Sequence, residues 1–172
     1  MQQIHTKKLV FSALFTALTV IFTMFVRLPL PIGYVHLGDG FIFLSVFILG
    51  PIYGTASAGL GSMLADLFGY PLYAPATLVI KVLTALGAYL VYVFFKQITK
   101  KSLPAEIIAG VVGTLIMAFG YFLYELVFLT TFEVAIVNVP WNLLQGVVGT
   151  AVAVVTMRIL TATKLLDALQ RK

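Results

Sequence analysis

The 172-residue chain has no cysteine and few charged residues. Without cysteine it forms neither a disulfide nor a thiolate metal site. Only 10% of its residues are charged, whereas a soluble domain carries about 25%. At this size, a chain that is 61% hydrophobic has too little interior to bury so many apolar side chains. The composition therefore predicts an integral membrane protein whose solvent is lipid.

Several kinds of chemistry are also missing from the sequence. There is no Walker-type phosphate loop, so the chain cannot hydrolyse ATP by that route. His5 and His36 are the only histidines, and no metal-ligand spacing or Ser-His-Asp order is present. We therefore expect no cofactor, no metal and no enzyme activity. The net charge of +5 is gathered at predicted helix ends, which argues against nucleic-acid binding.

The apolar runs predict an all-α integral membrane protein of six transmembrane helices, forming a single membrane domain over residues 1–172. A spanning helix needs about 20 mostly apolar residues. Pro51 separates the second helix from the third, because proline cannot continue a helix and disfavours helix in the residue before it. Merging the two would give five spans instead. The predicted helices cover residues 7–27, 40–50, 52–68, 76–96, 105–129 and 139–162.

The distribution of Lys and Arg predicts the orientation, since cytoplasmic loops carry the excess of these residues. We expect both termini and the 97–104 loop to be cytoplasmic, in a multi-pass protein of the bacterial plasma membrane. The loops at 28–39, 69–75 and 130–138 would be external, and Arg27, at the end of the first predicted helix, is the only basic residue assigned to that side. The basic residues assigned to the cytoplasmic side are Lys7, Lys8, Lys96, Lys100, Lys101, Arg158, Lys164, Arg171 and Lys172.

The segment between the first two apolar runs is unusually polar. His36 and Asp39 stand there with two glycines within five residues. Glycine permits backbone angles closed to other residues, so the segment can turn tightly. We interpret it as a binding loop or gate at the external face. The alternative is a plain helix connector whose His36 and Asp39 only face water.

Ionisable residues inside a span are costly and mark a site or a partner pair. Four predicted helices place such residues, or amides and aromatics, in the outer half of the bilayer below the loop. Lys81 would pair there with Asp66 or Glu125 at compatible depth. This convergence predicts a site for a small ligand. Its expected residues are His36, Asp39, Asp66, Tyr70, Lys81, Tyr121, Glu125, Trp141, Asn142 and Gln145.

Structural alternatives exist for these residues. Tyr70 and Trp141 would also fit an interfacial aromatic belt, and Lys81 would also reach water along its own stem. Asn142 and Gln145 would also fit as interhelical hydrogen-bonding groups. The cytoplasmic half, by contrast, is nearly uncharged between its end patches in this interpretation.

The first predicted helix carries Ala13 and Ala17, a small-xxx-small pair one turn apart. Such pairs let another helix approach closely. Because this helix is terminal and peripheral, we expect the pair to face an outside partner. Similar spacings in the middle of the chain serve internal packing in this interpretation.

Motifs between positions 36 and 81 resemble those of the substrate-binding S components of energy-coupling factor (ECF) vitamin transporters. The likeness is strongest to the branch for hydroxymethylpyrimidine or pyridoxine-type vitamins, which is related to the riboflavin group. The motifs are HLGDG (36–40), LGP (49–51), GSMLADL (61–67), GYPLYAPAT (69–77) and IK (80–81).

The resemblance implies a vitamin-binding subunit with six helices, both ends cytoplasmic and a pocket near the outer face. It implies partners as well: a transmembrane T component, which the Ala13 and Ala17 pair would contact, and two cytoplasmic ATPase subunits that supply ATP hydrolysis. The vitamin would be pyridoxine, pyridoxal or hydroxymethylpyrimidine.

Each predicted site residue has a role in such a pocket. His36 and Asp39 would bind polar substituents and latch the loop. Charge complementarity would come from three ionisable residues, Asp66, Lys81 and Glu125. A flat ring would stack on three aromatic side chains, Tyr70, Tyr121 and Trp141. Ring nitrogens or hydroxyls would bind the two amides, Asn142 and Gln145.

Two other classes of protein compete with this interpretation. A stand-alone ion-coupled secondary transporter of a small polar aromatic solute would use Asp66, Lys81 and Glu125 for protons. It would also need polar groups continuing into the cytoplasmic half, where we identify none. An outer-face membrane enzyme would need a nucleophile and a base, which a lone His36 does not supply.

Overall fold

A computed structural model describes residues 2–29 and 34–166. Within them the chain is nearly all helical, which confirms the predicted all-α class. Six α-helices are joined by one short hairpin and one π-helical turn. The elements are α1 (Gln2–Met24), β1 (Arg27–Pro29), β2 (Tyr34–His36), α2 (Gly38–Leu49), α3 (Pro51–Gly69), α4 (Ala74–Thr99), α5 (Ser102–Tyr124), the π turn (Glu125–Leu129) and α6 (Phe132–Ala162).

Four of the described helices, α1, α4, α5 and α6, are long and apolar enough to cross a membrane. The helix α2 is shorter, since its 12 residues rise only about 18 Å. That length is well below the hydrocarbon thickness of about 30 Å. Six complete spans therefore stay a prediction.

The short helix α2 lies at the centre of the bundle and packs against α1, α3, α4 and α6. Ile42 and Val46 are fully buried, and Phe43 and Leu44 are 1% exposed. A helix that is hydrophobic all round is buried on every side. The unbroken apolar run of α2 thus reflects a central position, with the lipid-facing surface left to the longer helices.

The α2–α3 connection follows the predicted break at Gly50 and Pro51. Gly50 has φ +83°, a left-handed conformation that favours glycine. Pro51 begins α3, where its missing N–H costs nothing. One turn later, a Cβ on Gly54 would lie 2.6 Å from the Cα of Val46. Glycine is therefore required for the close approach of the two helices.

Two predicted loops are mostly helical. The helix α6 begins at Phe132 and runs through Pro140, so the prediction of a loop at 130–138 is wrong. Proline inside a membrane helix is tolerated because neighbouring groups satisfy the freed backbone carbonyl. Likewise, α4 continues to Thr99 and α5 begins at Ser102, which leaves only residues 100–101 of the predicted 97–104 loop.

The predicted 28–39 loop contains a hairpin and the start of a helix. The strands β1 and β2 are antiparallel, with Arg27 opposite His36. The backbone N–H of Leu37 then donates to the carbonyl of Val26, 3.3 Å away. Asp39 falls in the first turn of α2. The prediction of Asp39 as a loop residue is therefore wrong.

The orientation stays a prediction. Arg171 and Lys172 lie outside the described residues, as do residue 1 and the segment 167–172.

Lys101→Cys and Glu133→Cys, made singly in this cysteine-free chain, test the orientation at two exposed positions. A membrane-impermeant maleimide should label position 133 in intact cells, because the excess of Lys and Arg places position 101 inside. Both should react in opened membranes. Labelling of position 101 in intact cells would contradict the orientation.

Candidate functional site

A cavity of about 280 Å³ lies where the hairpin meets the end of α3, the start of α4, the end of α5 and the first turns of α6. We call it the outer cavity, after its predicted side of the membrane. Eight of the ten predicted site residues line it, together with Tyr73 and Asn138. Its lining consists of His36, Asp66, Tyr70, Tyr73, Tyr121, Glu125, Asn138, Trp141, Asn142 and Gln145.

The other two predicted site residues, Asp39 and Lys81, lie behind the cavity wall. They form a buried ion pair between Nζ of Lys81 and Oδ1 of Asp39, and each residue is 1% exposed. The predicted pairing of Lys81 with Asp66 or Glu125 is therefore wrong. The physical reason is the position of Asp39 in α2, which buries this carboxylate beside α4.

The Asp39 carboxylate also orients the amide of Gln145. Nε2 of Gln145 donates to Oδ2 of Asp39 at 2.8 Å, and it lies 3.9 Å from the Met117 sulfur. Since an amide nitrogen has two protons, both are engaged by these acceptors. The carbonyl oxygen of Gln145 is the atom that remains for a ligand.

The close approach of α6 to α2 requires glycine. A Cβ at Gly149 would lie 2.7 Å from the Cβ of Asp39. On the other side of the pair, Nζ of Lys81 lies 2.8 Å from the Met117 sulfur and 5.6 Å from the centre of the Tyr121 ring. One buried ion pair thus connects α2, α4, α5 and α6.

Asp66 enters the cavity wall through a chain of hydroxyl groups. Thr77 donates through Oγ1 to Oδ2 of Asp66 at 2.5 Å, and the Tyr121 hydroxyl lies 3.0 Å from the same Thr77 oxygen. A threonine hydroxyl has one proton, so Tyr121 donates to Thr77. The chain fixes Asp66 and the Tyr121 ring against each other across α3, α4 and α5.

Glu125 is held by two neutral donors. The Tyr73 hydroxyl donates to Oε1 at 3.3 Å, and Nδ2 of Asn138 donates to Oε2 at 2.9 Å. Glu125 begins the π turn, a distortion that is frequent at functional sites. The Tyr124 hydroxyl donates to the carbonyl of Leu72 at 2.5 Å, which fixes the segment that carries Tyr73.

His36 contributes a neutral ring from the hairpin. Burial lowers the pKa of its imidazole to about 4, although the Asp39 carboxylate opposes this shift. Nδ1 accepts a hydrogen bond from the backbone N–H of Gly38 at 3.1 Å. In a neutral imidazole with an accepting Nδ1, the proton is on Nε2. His36 is thus a hydrogen-bond donor at Nε2.

The electrostatic character of the outer cavity is acidic. Asp66 and Glu125 line it, and none of its described lining residues is Lys or Arg. Three of the lining donors serve neighbours: Tyr73 and Asn138 bond Glu125, and Gln145 bonds Asp39. The cavity therefore offers acceptor oxygens and aromatic faces, together with donors such as Nε2 of His36. It suits a neutral or cationic ring that brings its own hydrogen-bond donors.

Sequence reasoning left three polar residues out: Tyr73 and Asn138 from its site, and Glu106 from its cytoplasmic half. Tyr73 and Asn138 line the cavity; the spacing of Asn138 from Asn142 and Gln145 on one helix face was the available signal. Farther down, Glu106 is fully buried and accepts from Nη2 of Arg158 at 2.5 Å. The expectation of a cytoplasmic half that is nearly uncharged between its end patches did not include Glu106.

The two faces of α1 differ. Ala13 and Ala17 are exposed, as are the neighbouring Leu9 and Leu14. The opposite face is buried and carries hydroxyl groups; there Ser12 lies 2.9 Å from Ser57 of α3, measured between the two Oγ atoms. The small pair thus lies on a surface that the described bundle leaves open.

This architecture is that of a multi-pass membrane protein, and a solved structure shares it. That structure is described as the S component of a bacterial ECF transporter. It aligns with a TM-score of 0.67 and 25% identity over 97% of this chain and 99% of its own.

The family follows from the sequence match. Residues 3–162 match the family described as "ECF-type riboflavin transporter, S component". The chain belongs to this family, and it is thus a multi-pass membrane protein.

One curated relative comes from Pyrococcus woesei and is described as "Uncharacterized protein in gap 3'region". It is 41% identical over 102 residues. The match covers 58% of this chain and 65% of the relative's own length.

The buried pair makes a prediction about stability. Lys81→Met leaves the Asp39 carboxylate buried without its partner, which should lower the free energy of unfolding by about 3–5 kcal/mol. Adding Asp39→Asn removes that charge, so the double variant should be more stable than Lys81→Met alone. Denaturant unfolding of the purified protein in detergent measures both. The exposed Lys101→Met is the matched control and should change stability by less than about 0.5 kcal/mol. Equal losses in the single and double variants would contradict the coupling.

Proposed function

We propose that this chain is the substrate-binding subunit of an ECF-type importer and that its outer cavity binds a small, single-ring nitrogen heteroaromatic vitamin. Pyridoxine, pyridoxal and hydroxymethylpyrimidine are the candidates. The observation that carries the proposal is the outer cavity itself, in which eight polar or aromatic residues expected from the sequence come together. Family membership supports the class of transporter.

The size of the cavity favours a single ring. Its volume of about 280 Å³ lies just below the usual range of small-molecule pockets, which span about 300–1,000 Å³. A pyridine or pyrimidine with short hydroxyl-bearing arms fits such a volume more closely than a tricyclic flavin with a polyol chain. Riboflavin, named in the description of the family, is therefore the comparison ligand for every measurement.

The chemistry of the lining favours a ligand rich in hydrogen-bond donors. Asp66, Glu125 and the Gln145 carbonyl offer acceptor oxygens, and hydroxyl or amino groups of the ligand would donate to them. Asp39 and Lys81 act indirectly, because their pair orients Gln145. A phosphate ester would face two carboxylates without a cationic side chain. The unphosphorylated vitamin is therefore the expected substrate.

Aromatic side chains supply the remaining affinity. Trp141, Tyr70 and Tyr73 line the cavity, and Tyr73 lies 6.3 Å from Tyr121 between ring centres. Aromatic contacts add about 0.5–1.5 kcal/mol beyond the area that they bury. Rings that surround a flat ligand would contribute to binding without reading its substituents. The polar groups would then provide the selectivity.

Calorimetric titration of the purified protein tests this function. Pyridoxine or hydroxymethylpyrimidine should bind, and their phosphate esters should bind at least about tenfold more weakly, or 1.4 kcal/mol. Asp66→Asn and Trp141→Ala should each weaken binding because they remove an acceptor or a stacking face. Glu133→Gln, an exposed carboxylate outside the cavity, is the matched control and should bind normally.

Two results would overturn the assignment of the ligand or the class. Tighter binding of riboflavin than of any single-ring vitamin would exclude the smaller ligands. An empty protein that transports solute alone in liposomes would favour the stand-alone secondary transporter. Mass spectrometry of small molecules that co-purify from a complex medium gives an independent answer on the ligand.

The exposed face of α1 fits the docking of a T component, which would work with two ATPase subunits. Ala13 and Ala17 are small and exposed there, so another helix can approach closely. This docking face belongs to α1, whereas none of the described lining residues of the outer cavity does. Binding and docking would therefore be separable by mutation.

We expect Ala13→Trp or Ala17→Trp to block uptake in cells that contain the whole transporter, because the bulky ring prevents close helix contact. Vitamin binding to the isolated variant should stay within about twofold of the wild type. Leu14→Trp is the comparison, since it adds bulk at a neighbouring exposed position that is already large. If the alanine variants lost binding together with uptake, the pair would serve internal packing.

A further inference from the structure

A second cavity, of about 820 Å³, opens at the opposite end of the bundle from the outer cavity. The ends of α2, α4 and α6, the start of α5 and one residue of α1 form its walls. In the predicted orientation this is the cytoplasmic end, so we call it the inner cavity. Neither the vitamin site nor the docking face of α1 includes it.

The inner cavity is basic. Lys8, Lys96 and Lys100 line it, and none of its described lining residues is Asp or Glu. The two ion pairs found among the described residues do not involve these lysines. Like charges repel one another when they are gathered at short range. An anion in the cavity would relieve that repulsion.

One of the three ammonium groups is held in place. Nζ of Lys96 donates to the Tyr92 hydroxyl at 3.0 Å and lies 5.1 Å from the centre of the same ring. Tyr92 is buried and packs against Phe47 at 4.7 Å between ring centres. An ammonium group has three protons, so two remain for an anion. The accepting Tyr92 hydroxyl also keeps its own proton to donate.

The neighbouring carboxylate does not oppose an anion. Nη2 of Arg158 lies 2.5 Å from Oε1 of Glu106 and 3.0 Å from Oγ of Ser102, so the charge of Glu106 is compensated. Ser102 is the first residue of α5 and lines the cavity, and no side chain caps this helix end. The unpaired N–H groups of a first helical turn favour negative charge.

Part of the wall is apolar. Ile48, Val93 and Leu166, which line the same cavity as the lysines, are only partly buried. A soluble anion would leave the exposed parts of these side chains uncovered, whereas a phospholipid brings a phosphate and acyl chains together. Basic pockets between helices on the cytoplasmic side bind anionic headgroups. We propose that the inner cavity binds the phosphate headgroup of an anionic phospholipid from the surrounding bilayer.

The test uses the full chain, delipidated in a neutral detergent. Dihexanoyl phosphatidylglycerol should raise the melting temperature saturably and should be retained in native mass spectrometry. Phosphatidylcholine of the same chain length should do neither. The triple variant Lys8→Gln, Lys96→Gln, Lys100→Gln should bind phosphatidylglycerol about tenfold more weakly or worse, because each lysine near a headgroup contributes to the attraction.

The control variant also replaces lysine by glutamine, at two positions outside the cavity. Lys101→Gln with Lys164→Gln removes two exposed lysines that are not among the described lining residues of the cavity, and it should bind phosphatidylglycerol normally. Vitamin titration reports whether the triple variant is folded; Lys96→Gln alone replaces it if it is not.

Three results would overturn the proposal. Equal binding of phosphatidylcholine, or unchanged lipid binding by the lysine variants, would contradict a site for the anionic headgroup. Equal competition by glycerol phosphate would make it a site for soluble anions. If the lysine variants bound lipid normally but failed to assemble with the partner subunits, the inner cavity would be a protein-docking surface.

Discussion

The buried ion pair between Lys81 and Asp39 is the interaction on which the rest of this structure depends. Two opposite charges in a nonpolar interior must stay together, because separating them leaves each one uncompensated. Their contact fixes the start of the central helix α2 against α4, and the second Asp39 oxygen fixes α6 through Gln145. The absence of a side chain at Gly149 lets α6 come close enough.

A consequence of this arrangement is that the floor of the outer cavity is set before any ligand arrives. Both N–H groups of Gln145 face acceptors, so its carbonyl oxygen is the atom that remains to accept a hydrogen bond. The same logic holds for Asn138, which donates to Glu125. Each preset amide avoids the loss of side-chain freedom on binding. Residues that never touch the ligand can therefore control its affinity.

Much of this candidate site was predictable from sequence, because polar residues in an apolar chain are few and each one inside a span indicates a site or a partner. The break at Gly50 and Pro51 also follows from backbone chemistry alone. The partner of Lys81 did not follow, since residue depth along a helix does not reveal which neighbouring helix lies beside it. Nor did the helical path through Pro140, where the cost of proline depends on neighbours that satisfy the freed carbonyl.

The buried carboxylates divide into two groups by the partners they have. Asp39 and Glu106 each meet a cationic side chain, so their charges are neutralised within the protein. Asp66 and Glu125 meet hydroxyl and amide donors, and within the described residues neither lies in an ion pair. A carboxylate that lacks a cation in a nonpolar setting gains most from a ligand that donates hydrogen bonds. This difference separates the groups that hold the bundle together from those that are available to the proposed ligand.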